Sequence, residues 1–171
     1  LHKIAEELLN RNDIHAEYMP QNYEELLQLH VTPVEYLDQT GKKEERTKIR
    51  TFLGALKYTA DEMDHPIREL SGGQKAKVLL LKMSLSNANV LILDEPTRGI
   101  DVGAKYEIYG IMNKLVEMGK SVIMISSEMP ELLGMCDRIY VMNEGKIVGE
   151  LEASEATQEL IMSNILKDDQ K

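Results

Sequence analysis

Four aliphatic residues at positions 90–93 run directly into two adjacent carboxylates and a proline, Asp94, Glu95 and Pro96. An apolar run without alternation is typical of a strand buried on both faces, as in parallel sheets covered by helices. Ligands of such sheets bind at the carboxyl ends of the strands, where Asp94 and Glu95 lie. The motif therefore predicts an α/β fold with a functional site at the end of this strand.

Strands and helices alternate along the chain. Further strands are predicted at residues 14–18, 122–126, 138–142 and 146–149, the last two forming a hairpin through a turn at 143–145. Helices are predicted at residues 1–9, from a capping box of Thr32 and Glu35, at 49–56, from Ser71, at 102–118 and at 160–166. The alternation predicts a parallel sheet covered by helices on both faces.

Composition excludes several classes of protein. With 171 residues, one domain of ordinary size is expected, and the apolar runs are too short for direct insertion into a membrane. The single cysteine, Cys136, excludes an intrachain disulfide and predicts the reducing cytoplasm. The net charge of −9 opposes direct binding to nucleic acid, and the four histidines have no metal-ligand spacing.

A second motif opens the helix that begins at Ser71. Ser71, Gly72, Gly73 and Gln74 combine a hydroxyl cap with two glycines, so backbone N–H groups face outward at the positive end of the helix dipole. Such a terminus binds anions, phosphate among them. Taken alone, the same residues equally describe an ordinary serine N-cap after a flexible turn.

The adjacent carboxylates have distinct chemical uses beside a phosphate site. Asp94 can hold a Mg²⁺ ion, directly or through water. Glu95 can orient and polarise the water that attacks a γ-phosphate. The alternative is that both residues merely end a strand.

Two motifs together resemble a known family. L-S-G-G-Q (residues 70–74) is followed, 23 residues after its serine, by the aspartate of V-L-I-L-D-E-P (residues 90–96). The pair resembles the signature and Walker B motifs of ATP-binding cassette (ABC) ATPases, whose cofactors are ATP and Mg²⁺. The resemblance implies that the signature contacts the ATP held by a facing cassette, through Ser71, Gly72, Gly73 and Gln74.

The resemblance also assigns roles outside the signature. It makes Asp94 the magnesium-side acid and Glu95 the catalytic base. Gln21, at the end of Y-M-P-Q, matches the Q-loop glutamine that touches Mg²⁺ and the attacking water, although alone it is only a loop amide. Asp101, in G-I-D, matches the D-loop that crosses the dimer interface, although alone it is a plain helix N-cap.

The family's architecture implies one partial cassette over residues 1–171. A helical subdomain with the signature would occupy about residues 23–88. The core, with Walker B, D-loop and C-terminal hairpin, would occupy residues 1–22 and 89–171. The implied partners are a second cassette in a head-to-tail dimer and either transporter membrane domains or the ribosome.

Two departures from the family lead us to expect that the chain by itself is inactive. The phosphate loop, G-x-x-x-x-G-K-[ST], is absent, and residues 1–9 resemble the helix that follows it. Glu128 stands where the family has its switch histidine, and a carboxylate there would repel a phosphate. The alternative to an ATPase is a non-catalytic half-site donor or engineered scaffold that contributes only its signature face.

The resemblance changes along the chain. Residues 1 to about 97, with Y-M-P-Q-N-Y, T-P-V-E-Y-L and R-E-L-S-G-G-Q-K-A-K, resemble the ABC-F class, cytoplasmic paired cassettes that act on ribosomes. Residues 98–171, with R-G-I-D-V-G-A-K and I-S-S-E-M-P-E-L-L-G, resemble the second cassette of ribose, galactose and xylose type sugar importers. A recombinant or engineered joint within D-E-P-T-R is our hypothesis for this change.

Overall fold

The computed structural model of the chain describes residues 13–168, so the helix predicted at residues 1–9 lies outside the described residues. The strands are β1 (Ala16–Met19), β2 (Val90–Asp94), β3 (Ser121–Ile125), β4 (Arg138–Asn143) and β5 (Lys146–Glu152). The helices are α1 (Pro33–Leu37), α2 (Lys43–Ala55), α3 (Ala60–Asp64), α4 (Gly72–Ser84), α5 (Val102–Glu117), α6 (Met129–Met135) and α7 (Gln158–Asp168). Short 3-10 turns lie at Tyr23–Leu26 and Ile67–Glu69. The chain divides between Ile125 and Ser126 into two compact units.

The first unit is built on a parallel sheet of three strands in the order β1, β2, β3. Leu91 and Leu93 of the central strand are fully buried, and Ile92 is nearly so. The strand predicted at residues 90–93 is thus confirmed, and so is the α/β fold class. Burial on both faces explains why this strand is aliphatic throughout.

Capping boxes start three of the helices in this unit, and two of the three pair a threonine with a glutamate. The box predicted at α1 is present: the Glu35 carboxylate accepts from the Thr32 N–H, and the Thr32 hydroxyl accepts from the Glu35 N–H. An identical arrangement of Thr59 and Glu62 starts α3. Each box satisfies two backbone donors that the first turn would leave without partners. None of the helices within residues 13–168 is long and apolar enough to span a bilayer.

An ion pair between a buried lysine and a partly buried glutamate joins α4 to α5. The ammonium group of Lys77 lies 2.6 Å from Glu107 Oε2 and donates to the carbonyl of Leu56 at 3.1 Å. Lys77 is only 4% exposed, while Lys57 approaches the other oxygen of Glu107 from solvent. Hydrogen bonds from Lys57 and then from Lys77 hold the pKa of Glu107 below its ordinary value. The pair therefore favours the ionised form of Glu107 in the folded state.

This pKa shift predicts how stability depends on pH. Because the folded pKa is lowered, the stabilisation is fully present above the unfolded glutamate pKa of about 4.3 and is lost as pH falls through the folded value. Glu107→Gln should therefore lower the free energy of unfolding at pH 7. The difference from the wild-type protein should shrink below about pH 4. Urea unfolding at both pH values measures it, and a gap that widens in acid would contradict the prediction.

The second unit is a hairpin covered by a helix. Strands β4 and β5 pair antiparallel, and Ile139 and Val141 pack with Ile161 of α7. Glu144 and Gly145 in the turn both have positive φ, 45° and 78°, which is the pattern of a tight hairpin turn. The strands predicted at residues 138–142 and 146–149 are confirmed. Among residues 13–168, however, β4 pairs with β5 rather than extending the parallel sheet, and its alternating burial fits a single covered face.

Candidate functional site

The parallel sheet brings two of the predicted segments to one edge. Met19 at the end of β1 pairs with Leu93, so the chain leaves β1 beside the end of β2. Gln21 follows two residues later and is exposed. Asp94 is the last residue of β2, and Glu95 comes next. Gln21, Asp94 and Glu95 therefore share the carboxyl edge of the sheet, where α/β proteins bind ligands.

Asp94 is held by a side chain from the neighbouring strand. The hydroxyl of Tyr18 donates to Asp94 Oδ2 at 2.8 Å, and the contact is partly buried. Burial, and then this hydrogen bond, raise the pKa of the Tyr18 phenol. The sequence predicted a role for Gln21 of the motif Y-M-P-Q but none for Tyr18. Its role follows from the parallel register, in which Tyr18 pairs with Ile92 and Asp94 is two residues further on the same face.

Glu95 has an unusual backbone conformation. Its φ of 48° lies in the left-handed region, which residues other than glycine rarely adopt. Its N–H still donates to the carbonyl of Ile125 at 2.8 Å, which extends the pairing of β2 with β3 by one residue. The Glu95 carbonyl then accepts from the Arg98 N–H, so the chain turns here. Conformations of this kind are concentrated at functional sites.

The second group of predicted residues surrounds the start of α4. Ser71 is the N-cap, as predicted. Its N–H donates to Gln74 Oε1 at 2.9 Å, and its hydroxyl accepts from the Gln74 N–H at 3.3 Å. Gln74 Nε2 donates to Glu62 of α3 at 2.7 Å, so one end of this amide holds the cap and the other links it to the neighbouring helix. The pattern S-x-x-Q is itself the signal of a capping box, which the sequence analysis missed.

The two glycines of the signature have different environments. Gly72 is exposed, whereas Gly73 is buried. The N–H groups of both lie in the first turn of α4, where a helix supplies no acceptor of its own. A Cβ atom on Gly73 would lie 2.6 Å from Cβ of Ala104 and 3.2 Å from Cγ2 of Ile100. Glycine is therefore required at position 73 by the close approach of the first turn of α5.

Asp101 lies at this same contact. It is the N-cap of α5, and its carboxylate accepts from the Ala104 N–H at 3.0 Å. The Cβ position of Gly73 is 4.0 Å from the other Asp101 oxygen. The structure thus brings the signature and the G-I-D segment together. Residues 95–101, which include the buried Thr97, connect this group to the sheet edge.

Glu128 belongs to the second unit. It is the N-cap of α6, and its N–H donates to the hydroxyl of Ser126 at 3.0 Å. The Ser126 hydroxyl donates in turn to Glu131, which is 4% exposed. The role predicted for Glu128, repulsion of a phosphate at the family's switch position, stays a prediction.

The oxygen ligands at the sheet edge fit Mg²⁺ better than a metal ion whose ligands must all come from protein side chains. Residues 13–168 contain no group of three or more His, Cys, Asp or Glu that could hold a metal ion. Magnesium in nucleotide sites is bound by one or two carboxylates, with phosphates and water completing the shell. Asp94 retains acceptor capacity beside its bond from Tyr18, because a carboxylate offers about four lone pairs.

Comparison with known sequences agrees with the motifs. A sequence model of the ABC transporter family matches residues 2–98, which is more than half of the chain. The L-arabinose transport ATP-binding protein of Geobacillus stearothermophilus is 50% identical over 126 residues, which cover 74% of this chain. A xylose import ATP-binding protein of Thermoanaerobacter pseudethanolicus is 58% identical over 111 residues, and a ribose import ATP-binding protein of Clostridium tetani is 47% identical over 126. The chain spans about a quarter of the length of these relatives.

Solved structures of cassettes have the same fold. An ATP-binding cassette dimer in a post-hydrolysis state, bound to ADP and Pi, matches with a TM-score of 0.66 and 19% identity. That match covers 82% of this chain and 63% of the other. A nucleotide-free cassette from an ABC transporter matches with a TM-score of 0.65 and 21% identity, over 91% of this chain and 66% of the other.

Proposed function

Because the chain belongs to the ABC transporter family, as an ATPase domain, we propose that, as part of the full-length gene product, it takes part in binding and hydrolysing Mg-ATP to power sugar import. One observation carries the proposal: the central strand of the parallel sheet ends in Asp94 and Glu95, with Gln21 leaving the neighbouring strand at the same edge. The identity to arabinose, xylose and ribose import proteins supports sugars as the imported class.

The sheet-edge residues would act on the nucleotide of this chain. Asp94 would hold the magnesium ion, and the exposed amide of Gln21 supplies a second oxygen donor. Bound there, the ion would neutralise the charge that develops on the transferred phosphate. Glu95 orients the attacking water and accepts its proton. The left-handed turn at Glu95 presents this residue immediately beyond the buried strand.

The signature residues would act on the nucleotide of a facing cassette. In a head-to-tail dimer, the Ser71 hydroxyl and the N–H groups of Gly72 and Gly73 bind the γ-phosphate of the partner's ATP. Gln74 supports them by holding the cap of the helix. Asp101 crosses the interface from the adjoining N-terminus of α5. The close contact of Gly73 with Ala104 supports joint movement of signature and D-loop.

The proposed setting is the inner face of a cytoplasmic membrane. A second cassette and transporter membrane domains are the partners, with the cassette attached peripherally. In the proposed organisation of this cassette, residues 23–88 form the helical subdomain that bears the signature. Residues 1–22 and 89–171 contribute to the core, which includes the C-terminal hairpin.

Glu95→Gln tests this function in the full-length gene product. Removing a general base is expected to lower ATP turnover about 100-fold or more. ATP binding should persist, since the substitution keeps the shape of the side chain. Turnover is measured by phosphate release, with Glu117→Gln, at an exposed position in α5, as the matched control. Unchanged turnover in Glu95→Gln, with a fully active control, would refute the proposed role.

Two alternatives to the proposed ATPase, a half-site donor and a ribosome-linked protein, would give different experimental results. A half-site donor would show no turnover of its own but would form an ATP-dependent heterodimer with an intact cassette. A ribosome-linked role, which the resemblance of residues 1 to about 97 to the ABC-F class would imply, would give co-sedimentation with ribosomes rather than recovery with membranes. Sequencing the source gene through codons 94–98 tests the recombinant joint. One natural gene carrying both halves would eliminate that hypothesis.

A further inference from the structure

We propose that Tyr18 is a positioning residue that fixes the Asp94 carboxylate in the orientation in which it holds the magnesium ion of Mg-ATP. This inference deepens the proposed function and rests on it. It starts from the 2.8 Å hydrogen bond between the Tyr18 hydroxyl and Asp94 Oδ2, which links β1 to β2 by their side chains.

The register of the sheet places the two residues in reach of each other. Tyr18 pairs with Ile92, and Asp94 follows Ile92 on the same face of the sheet. This diagonal separation is bridged by an aromatic side chain but not by a short polar one. A tyrosine at position 18 therefore places its hydroxyl against the carboxylate of Asp94, which lies one residue beyond the last pair between β1 and β2, Met19 with Leu93.

The bond acts on a carboxylate that has little else to orient it. Asp94 is only partly buried and ends its strand, so its side chain can rotate about its terminal torsion. A hydrogen bond to an ionised carboxylate is stronger than one between neutral groups. Holding one oxygen by the phenol selects one rotation and leaves the other oxygen as an acceptor.

The fold itself depends little on this hydroxyl. Backbone pairing along residues 16–19 and 90–93 already joins the two strands. Met19, Leu91 and Leu93 are fully buried and supply the packing. Removing one oxygen atom from Tyr18 leaves both contributions in place. A change in magnesium-dependent binding would therefore report on the carboxylate and not on unfolding.

Tyr18→Phe in the full-length gene product tests the proposal. The affinity for a fluorescent ATP analogue is titrated with Mg²⁺ and, separately, with EDTA. The gain in affinity due to Mg²⁺ should fall about tenfold, because a hydrogen bond to a charged group is lost. Affinity in EDTA should stay unchanged. The Mg²⁺ concentration for half-maximal turnover should rise more than kcat falls.

Two variants serve as controls. Tyr140→Phe also removes a hydroxyl bonded to a carboxylate, Glu150 at 3.0 Å, and should leave the Mg²⁺ gain unchanged. Asp94→Asn should abolish the gain, and adding Tyr18→Phe to it should change nothing further. An unchanged gain in Tyr18→Phe, with the gain abolished in Asp94→Asn, would overturn the role of Tyr18 and leave the proposed function standing. If Asp94→Asn also kept the wild-type gain in affinity due to Mg²⁺, the role of Tyr18 and the proposed function would both be overturned.

Discussion

Glu107→Leu is expected to destabilise the protein by about 3 kcal/mol, because it leaves the buried ammonium group of Lys77 without its partner carboxylate. The ammonium group of Lys77 would keep the carbonyl of Leu56 and the ring of Tyr58, whose centroid is 4.9 Å away. Neither carries a countercharge, and Lys77 is only 4% exposed. A buried charge without its counterion costs far more than the intact pair contributes. The free energy of unfolding in urea measures the loss.

The matched variant removes the other member of the pair. Lys77→Met takes away the buried charge and leaves Glu107 with the exposed Lys57. It should cost no more than about 1 kcal/mol. The double variant Lys77→Met with Glu107→Leu should be more stable than Glu107→Leu alone. Equal losses in all three variants would mean that the packing of these side chains, and not their charge, stabilises the contact between α4 and α5.

Gly73→Val is expected to destabilise the protein by about 3 kcal/mol through overpacking. The Cβ atom alone would lie 2.6 Å from Cβ of Ala104, a separation that real Cβ atoms essentially never have. Ala104 cannot rotate away, since its Cβ is bonded directly to the backbone of α5. Relief therefore requires α4 and α5 to separate. Urea unfolding detects the loss, and a wild-type midpoint would show that the approach is looser than the structure has it.

A second glycine in α5 offers the control. A Cβ on Gly110 would meet no atom within 4 Å, and the position is exposed in the helix interior. Gly110→Ala should therefore stabilise the protein by about 0.5–1 kcal/mol. Gly73→Ala should be destabilising, and Ala104→Gly should recover part of that loss when the two are combined. Additive losses in the double variant would exclude a clash between these two positions.

Both predictions concern the same packing of α4 against α5. Gly73 meets Ala104 at the first turns of the two helices, and Lys77 meets Glu107 one turn further along each. The pair of contacts fixes the start of α4 relative to Asp101 at the start of α5. In the proposed function these termini belong to the signature and the D-loop. We expect variants at either contact to weaken ATP-dependent dimerisation together with stability.

Much of the local structure follows from the sequence because the chemistry that produces it is local. The aliphatic run at residues 90–93 forms the buried central strand. Thr32 and Glu35 are three residues apart and make their capping box within one turn. Ser71 caps α4. The spacing between L-S-G-G-Q and D-E-P also indicated the family, since each motif is short and contiguous.

The contacts between distant segments were decided by the tertiary structure. Tyr18 and Asp94 are 76 residues apart, and only the parallel register of β1 with β2 makes them neighbours. Lys77 and Glu107 are 30 residues apart, and in sequence each looks like an ordinary surface charge on a helix. Periodicity shows which face of an element is apolar, but not which other element covers it or in what register. The sequence by itself therefore determined the family and most of the elements, although it did not predict the short helices α3 and α6. The pairing of strands and helices determined which side chains hold Asp94 and the signature helix in place.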